Sequence, residues 1–169
     1  MNERFRFDPE KALEVLLYVS SSCSNMYNAL KVLYFADRAH LAEYGRLIWG
    51  ESYVAMAHGP VPSGAYDMVK SAKPDSLIRF DIDVRDSLLL NGNEIVPLRE
   101  PNLEWLSESD IEALDHSLAE YGDLSFGELK TISHQDTAFK AADENDFIPF
   151  EALVRSLPDG ELLLNYLSN

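Results

Sequence analysis

Residues 25–44 constrain this chain more than any other stretch. Met26, Leu30, Leu33, Tyr34 and Leu41 recur at helical spacing, while Val32, Phe35, Ala36 and Ala39 make most of the remaining faces apolar. A helix that is hydrophobic nearly all round has no side to give to solvent, so other elements must enclose it. The pattern predicts a helix from Ser24 to about Tyr44, stopped by Gly45, at the centre of the core. Asp37 stands inside it, with Leu30, Leu33 and Leu41 as neighbours at helical spacing. A carboxylate on such a stripe needs hydrogen-bonding partners.

The elements that would enclose this helix are short. Asp8-Pro9-Glu10 supplies an N-cap and a first-turn proline for a helix ending near Ser20. Residues 47–57 read as a short strand or an extended loop. His58-Gly59-Pro60-Val61-Pro62-Ser63 cannot begin as helix, because each proline disfavours helical backbone in the residue before it; a turn is expected, then a helix over 63–71. Residues 77–99 read as a small antiparallel sheet turning at Asn91-Gly92. Ser107 and Ser125 each stand three residues before an acidic residue, the spacing of a capping box, and predict helices to Tyr121-Gly122 and to about Ser133. Further short helices are expected over 136–142, 149–157 and 160–167. The sum is a mainly α (α+β) fold over a single domain, residues 1–169: a compact helical domain around a buried central helix, with a small antiparallel β-hairpin layer.

Charge narrows the partners. Fourteen Lys and Arg against twenty-nine Asp and Glu give a formal −15. Residues 101–169 hold three basic and fifteen acidic groups, so −12 of that total sits there. The average surface field repels polyanions, so nucleic-acid binding is not expected as the main role. The acidic segment either favours a basic partner or simply keeps helix faces soluble. No apolar run reaches the ~20 residues that span a bilayer. The first eight residues meet charge and Asp8-Pro9 before any apolar core, so they do not read as a signal peptide. Cys23 has no partner for an internal disulfide, and a cytoplasmic protein away from membranes is expected.

No HExxH, CxxC, GxSxG or GxxxxGK[ST] pattern occurs. Asp37 and His40 lie at i and i+3, and convergence of His58 and His134 on them would make a set suited to zinc and a metal-dependent enzyme. The other reading makes Asp37 a hydrogen-bonded buried carboxylate and the histidines structural or exposed; on it no metal, no cofactor and no enzyme is expected. Cys23 lacks a nearby base in sequence, and Ser20, Ser21, Ser22 and Ser24 suit an interhelical turn. Asp81 and Asp83, two apart in a predicted strand, would share a solvated face. Two roles fit Asp37 and His40: bracing the 58–62 turn to shape a recognition surface, or holding the fold alone.

Two stretches carry a resemblance to a known family. The first is Lys31-Val32-Leu33-Tyr34-Phe35-Ala36-Asp37-Arg38-Ala39-His40-Leu41 with Tyr44-Gly45-Arg46, followed by Tyr53-Val54-Ala55-Met56-Ala57-His58-Gly59-Pro60-Val61-Pro62-Ser63 and Tyr66-Asp67. The second is Ser133-His134-Gln135-Asp136-Thr137-Ala138-Phe139-Lys140-Ala141-Ala142, with Phe139 where the family usually has tryptophan. Together they resemble the Panacea domain, also called the SocA-like antitoxin-associated domain. The resemblance implies an antitoxin that neutralises a cognate toxin, encoded nearby, by direct protein–protein contact. It also leaves open an adaptor that hands a bound toxin to a protease. It marks Asp37, His40, His58, Gly59, Pro60, Val61, Pro62, His134 and Phe139 as the motif or partner-binding residues. Beside it, the acidic residues Glu104, Glu108, Asp110, Glu112, Asp115 and Glu120 offer a face to a basic groove, with Trp49, Tyr53, Trp105 and Tyr121 as candidate anchors where exposed.

Overall fold

Helix α2 (Met26–Tyr44) is the axis of the computed structural model, which describes residues 6–169. Residues 1–5, where the stretch weighed as a signal peptide begins, lie outside the described residues. The N-cap is Asn25 and not Ser24: its side chain accepts the Asn28 N–H at 3.2 Å, while Ser24 donates its hydroxyl to Glu94. Gly45, at φ 72°, ends the helix and returns its N–H to the Leu41 carbonyl. Buried side chains lie all round α2 only from Ala29 to Tyr34; beyond that Ala39 and Glu43 are exposed and Phe35, Arg38 and Ala42 half-buried. The expected all-round enclosure thus stops short of the helix end, and two apolar clusters share the buried faces. Leu30, Val32 and Leu33 face one, with α1 (Pro9–Ser20) and α3 (Ser63–Ser71). Tyr34 and Leu41 face the other, with α7 (Phe150–Arg155) and α8 (Gly160–Ser168).

The strands are fewer and shorter than the 77–99 reading. Antiparallel pairs are β1 (Tyr53–Met56) with β2 (Gly59–Pro62), and β3 (Leu88–Asn91) with β4 (Glu94–Pro97). The second hairpin turns at Gly92-Asn93, one residue later than Asn91-Gly92, because Asn91 pairs with Glu94. Leu88, Leu90 and Ile95 are buried in that register, and a one-residue slip of β3 would turn its leucines from core to solvent. Residues 77–87 form no strand: Arg85 takes the carbonyls of Ser71, Lys73 and Ser76 and holds them as a loop. Asp81 and Asp83 therefore do not share a strand face.

Helices α4 (Glu108–Tyr121) and α5 (Phe126–Gln135) begin with full capping boxes at Ser107 and Ser125. Ser117 of α4 ties the two central helices together by donating to the Val32 carbonyl at 2.7 Å. Asp136 caps the short α6 (Thr137–Lys140). A mainly α fold with small hairpins is what residues 25–44 demanded: many short elements around one buried helix.

Helix α3 follows two prolines and has no capping side chain at Pro62. The buried Glu51 replaces it, accepting N–H groups from Gly64 (2.8 Å) and Ala65 (2.9 Å) in the first turn, and also from Ser52 and the Trp49 indole. Glu51→Ala leaves four donors without this acceptor, and we expect a loss of about 3 kcal/mol, read from the urea midpoint at unchanged m-value.

Candidate functional site

The stretch read as a turn at 58–62 is mostly strand. Only Ala57 and His58 turn; Gly59-Val61 and both prolines form β2 against β1. The prolines are tolerated for a reason visible in the pairing. Ala55 gives its N–H to Asp146 and its carbonyl to Asn145, and Tyr53 gives its carbonyl to Ile148. The main-chain groups of Ala55 and Tyr53 thus point away from β2, so their partners, Pro60 and Pro62, occupy non-hydrogen-bonded positions where a missing N–H costs no ladder bond.

Three carbonyls at and beside the tip are held from outside the hairpin. Tyr27 donates its hydroxyl to the His58 carbonyl at 2.9 Å, Lys31 donates Nζ to the Pro60 carbonyl at 2.7 Å, and His134 donates Nε2–H to the Ala57 carbonyl at 3.0 Å. The clamp therefore joins α2 to α5. Gly59, at φ 116°, sits under it, and a Cβ there would fall 2.6 Å from Ser133 Cβ and 3.1 Å from Lys31 Nζ. Burial pushes the Lys31 amine down to about 7, so near neutral pH it is only in part charged; its partners are the Pro60 carbonyl and the face of the Tyr27 ring, 5.1 Å away.

Asp37 and His40 are not the brace of this tip. Asp37 is fully buried, accepting the Ile48 N–H and the Tyr53 hydroxyl, both at 2.7 Å, and so holds the entry to β1. Burial above all, with Glu51 and Asp110 nearby, pushes its carboxyl up to about 7 against those two hydrogen bonds. His40 turns toward α4: Nδ1–H donates to the Arg46 carbonyl, and Nε2 lies 2.9 Å from the Ser109 hydroxyl. Burial lowers its pKa, which favours the neutral ring with Nε2 as acceptor. His58 is exposed and His134 stacks on Phe139 at 5.0 Å, so the four side chains do not converge. The reason is that Asp37 and His40 both turn to the loop at 46–48, while His58 and His134 stand at the hairpin tip. Among the described residues no group of three or more His, Cys, Asp or Glu is placed to hold a metal ion.

The tip carries an aromatic patch. Phe126 is 49% exposed, packs on Tyr27 at 4.6 Å and meets His58 edge-on at 5.2 Å. Phe147, 62% exposed, lies opposite Val54 of β1 in the segment that carries the acidic Asp143, Glu144 and Asp146. The expected anchors Trp49 and Tyr53 are buried, and Tyr121 is half-buried against Phe35; only Trp105 of the four is exposed. Asp110 is buried as well and belongs to no acidic face. Burial alone would raise its carboxyl, but Lys11 at 2.8 Å and the Ser107 N–H hold it below the ordinary range.

Tyr27, Lys31, Phe126 and Ser133 were not singled out from sequence as parts of the site. Lys31 alone carried a signal, a charge inside an all-round apolar helix, the same signal that marks Asp37.

The two resembling stretches meet in this site. Ser133 packs on Gly59, His134 holds Ala57, and Asp136 takes the Tyr34 hydroxyl at 2.7 Å while Ala138 enters the core. Comparison with protein families matches residues 30–140 to the family described as antitoxin SocA-like, Panacea domain. The chain belongs to this family. Comparisons with curated proteins and with solved structures give no match. The Panacea match opens inside α2 and closes at the end of α6, so it takes in the hairpin and two of its clamping side chains, Lys31 and His134, and leaves α1, α7 and α8 outside.

Two measurements probe this geometry. Asp37 keeps its proton in the fold up to about 7, whereas the unfolded carboxyl releases it near pH 4; stability from this group is therefore present below about 4 and lost as pH rises to 7. Asp37→Asn keeps the acceptor for Ile48 and removes the titration. Relative to the parent, we expect it to gain up to about 4 kcal/mol between pH 4 and 7.5 in urea melts. Gly59→Ala is expected to cost about 3 kcal/mol through the clash and the positive φ. Gly127→Ala, inside α5 and with no heavy atom within 4 Å of the new Cβ, is the control and should not destabilise, gaining up to about 1 kcal/mol from helix propensity.

Proposed function

We propose that this chain is an antitoxin that neutralises a cognate toxin by binding it directly, with the clamped β1–β2 tip as the contact face and the whole chain acting as one unit. The observation that carries the reading is the tip itself: His58 and Phe126 stand exposed on a backbone whose neighbouring carbonyls are tied by Tyr27, Lys31 and His134. A surface ordered before binding loses little conformational freedom when a partner arrives. The family match to an antitoxin-type domain supports a role in binding rather than catalysis.

Residue roles follow from position. His58, Val61 and Phe126 make contact with the partner. Gly59, Pro60 and Pro62 set the strand, His134 and Phe139 hold it, and Asp37 and His40 position the loops behind. Toxins that act on nucleic acids or nucleotides carry basic grooves, and the carboxylates of Asp143, Glu144 and Asp146 beside Phe147 complement such a groove and speed encounter. The cytoplasm is where such a partner is met.

The test is co-expression with the product of the adjacent gene, scored by growth and by co-purification. Rescue of growth with a stable complex is expected. His58→Ala combined with Phe126→Ser should lower the melting temperature by only a few degrees, through the packing lost on Tyr27, while the folded protein loses rescue and binds about tenfold or more weakly. Rescue and affinity untouched by this pair would place the contact on another face. Loss of the toxin from cells that express both proteins would instead identify delivery to a protease.

A further inference from the structure

The outer side of α2 and α4 carries a groove of about 420 Å³ that takes no part in the hairpin clamp. Ala39 and Ala42 are among its lining residues, and their small side chains let another chain approach α2 closely. Phe35 and Tyr121, stacked at 4.1 Å, add an aromatic wall. The carboxylates stand on both helices: Glu43 on α2 and Glu120 on α4, each exposed. Arg38 also lines the groove, but it is committed elsewhere, donating Nη2 to the Ser156 carbonyl at 2.8 Å with Nε 3.6 Å from Asp136.

Apolar side chains are also exposed at the end of α2 and on α8, outside the residues that line the groove. Tyr44 is 47% exposed, and Leu162 and Tyr166, four apart on α8, are each 71% exposed. The Tyr166 ring lies 3.9 Å from where a Cβ on Gly45 would be, which places it beside the α2 terminus.

Charge decides the occupant. A second copy of a chain with formal charge −15 would bring carboxylates against carboxylates, and nucleic acid or an anionic membrane would be repelled in the same way. A cationic protein segment is attracted. We propose that this groove is a second docking site, receiving a basic amphipathic helix of a protein partner: its apolar stripe lies over Ala39 and Ala42, and its Lys or Arg flanks meet Glu43 and Glu120. The inference goes beyond the antitoxin reading and does not depend on the hairpin face.

The experiment titrates the full chain with a synthetic helix bearing a leucine stripe and lysine flanks, followed by backbone amide shifts and calorimetry. Shifts concentrated at Ala39, Ala42 and Glu120 are expected. Glu43→Lys with Glu120→Lys should weaken binding by about tenfold or more, as should filling the floor with Ala39→Trp. Both carboxylates are exposed, so the charge pair keeps the test open if Ala39→Trp fails to fold. His58→Ala with Phe126→Ser should leave this binding unchanged, which separates the groove from the hairpin face. Equal binding of a lysine helix without leucines, shifts spread over the whole acidic surface, or indifference to the Glu43 and Glu120 reversals would overturn the proposal. A concentration-dependent dimer abolished by Ala39→Trp would overturn it too, assigning the face to a second copy.

Discussion

Everything in this molecule depends on how one buried helix satisfies its own polar side chains. Helix α2 is buried all round from Ala29 to Tyr34 and open on its Phe35–Ala39–Ala42 side beyond, and it carries Lys31, Asp37 and His40 into the interior. Each is expensive there unless it finds a partner, and in each case the partner is backbone from a loop or hairpin. Lys31 takes the Pro60 carbonyl, Asp37 the Ile48 N–H with the Tyr53 hydroxyl, and His40 the Arg46 carbonyl. The demand created by burial thus fixes the segments between α2 and α3 that contain no long strand or helix of their own.

The hairpin at the surface is the product of that arrangement. A four-residue strand with two prolines forms few ladder bonds, and an isolated hairpin of this length is marginal in water. Here β1 is paired on its other edge by residues 145–148, Lys31 grips β2 at Pro60, and Tyr27 and His134 hold the turn at His58 and Ala57. The prolines then help, since their restricted φ reduces the freedom the chain loses on folding. Ser133, buried against Gly59 with an unpaired hydroxyl among the described residues, shows how closely α5 is pressed to the strand. Only a glycine allows that approach.

Much of this was legible beforehand, and the misses share a cause. The periodicity of residues 25–44 announced the central helix, and the capping residues at Asp8, Ser107 and Ser125 announced α1, α4 and α5. Such signals are local. The hairpin was hidden because prolines argue against a strand, and the fact that excuses them, main-chain groups of Ala55 and Tyr53 facing residues 145–148, is set some ninety residues away in sequence. Asp110 was misplaced on an acidic face for the same reason: Lys11, which draws it inward, lies on α1. Asp37 was recognised as needing partners, but which loops would supply them depends on the direction a helical side chain takes, and spacing alone does not give it.

Lys31 brings these strands of argument together. A buried ammonium normally calls for a carboxylate, and three carboxylates packed around the core are spent elsewhere: Asp37 on Ile48 and Tyr53, Glu51 on the start of α3, Asp136 on Tyr34 and α6. Burial lowers its pKa to about 7, so the amine is only in part charged near neutral pH, and the Pro60 carbonyl together with the Tyr27 ring face, 5.1 Å away, serves it in both forms. That carbonyl is free to accept because Pro60 sits at a non-hydrogen-bonded position, and Nζ has room to reach it because Gly59 carries no Cβ, which would lie 3.1 Å from Nζ. The lysine, the glycine and the proline therefore form one device. Each residue type is required by the other two, and together they hold the surface through which this Panacea domain is proposed to meet its partner.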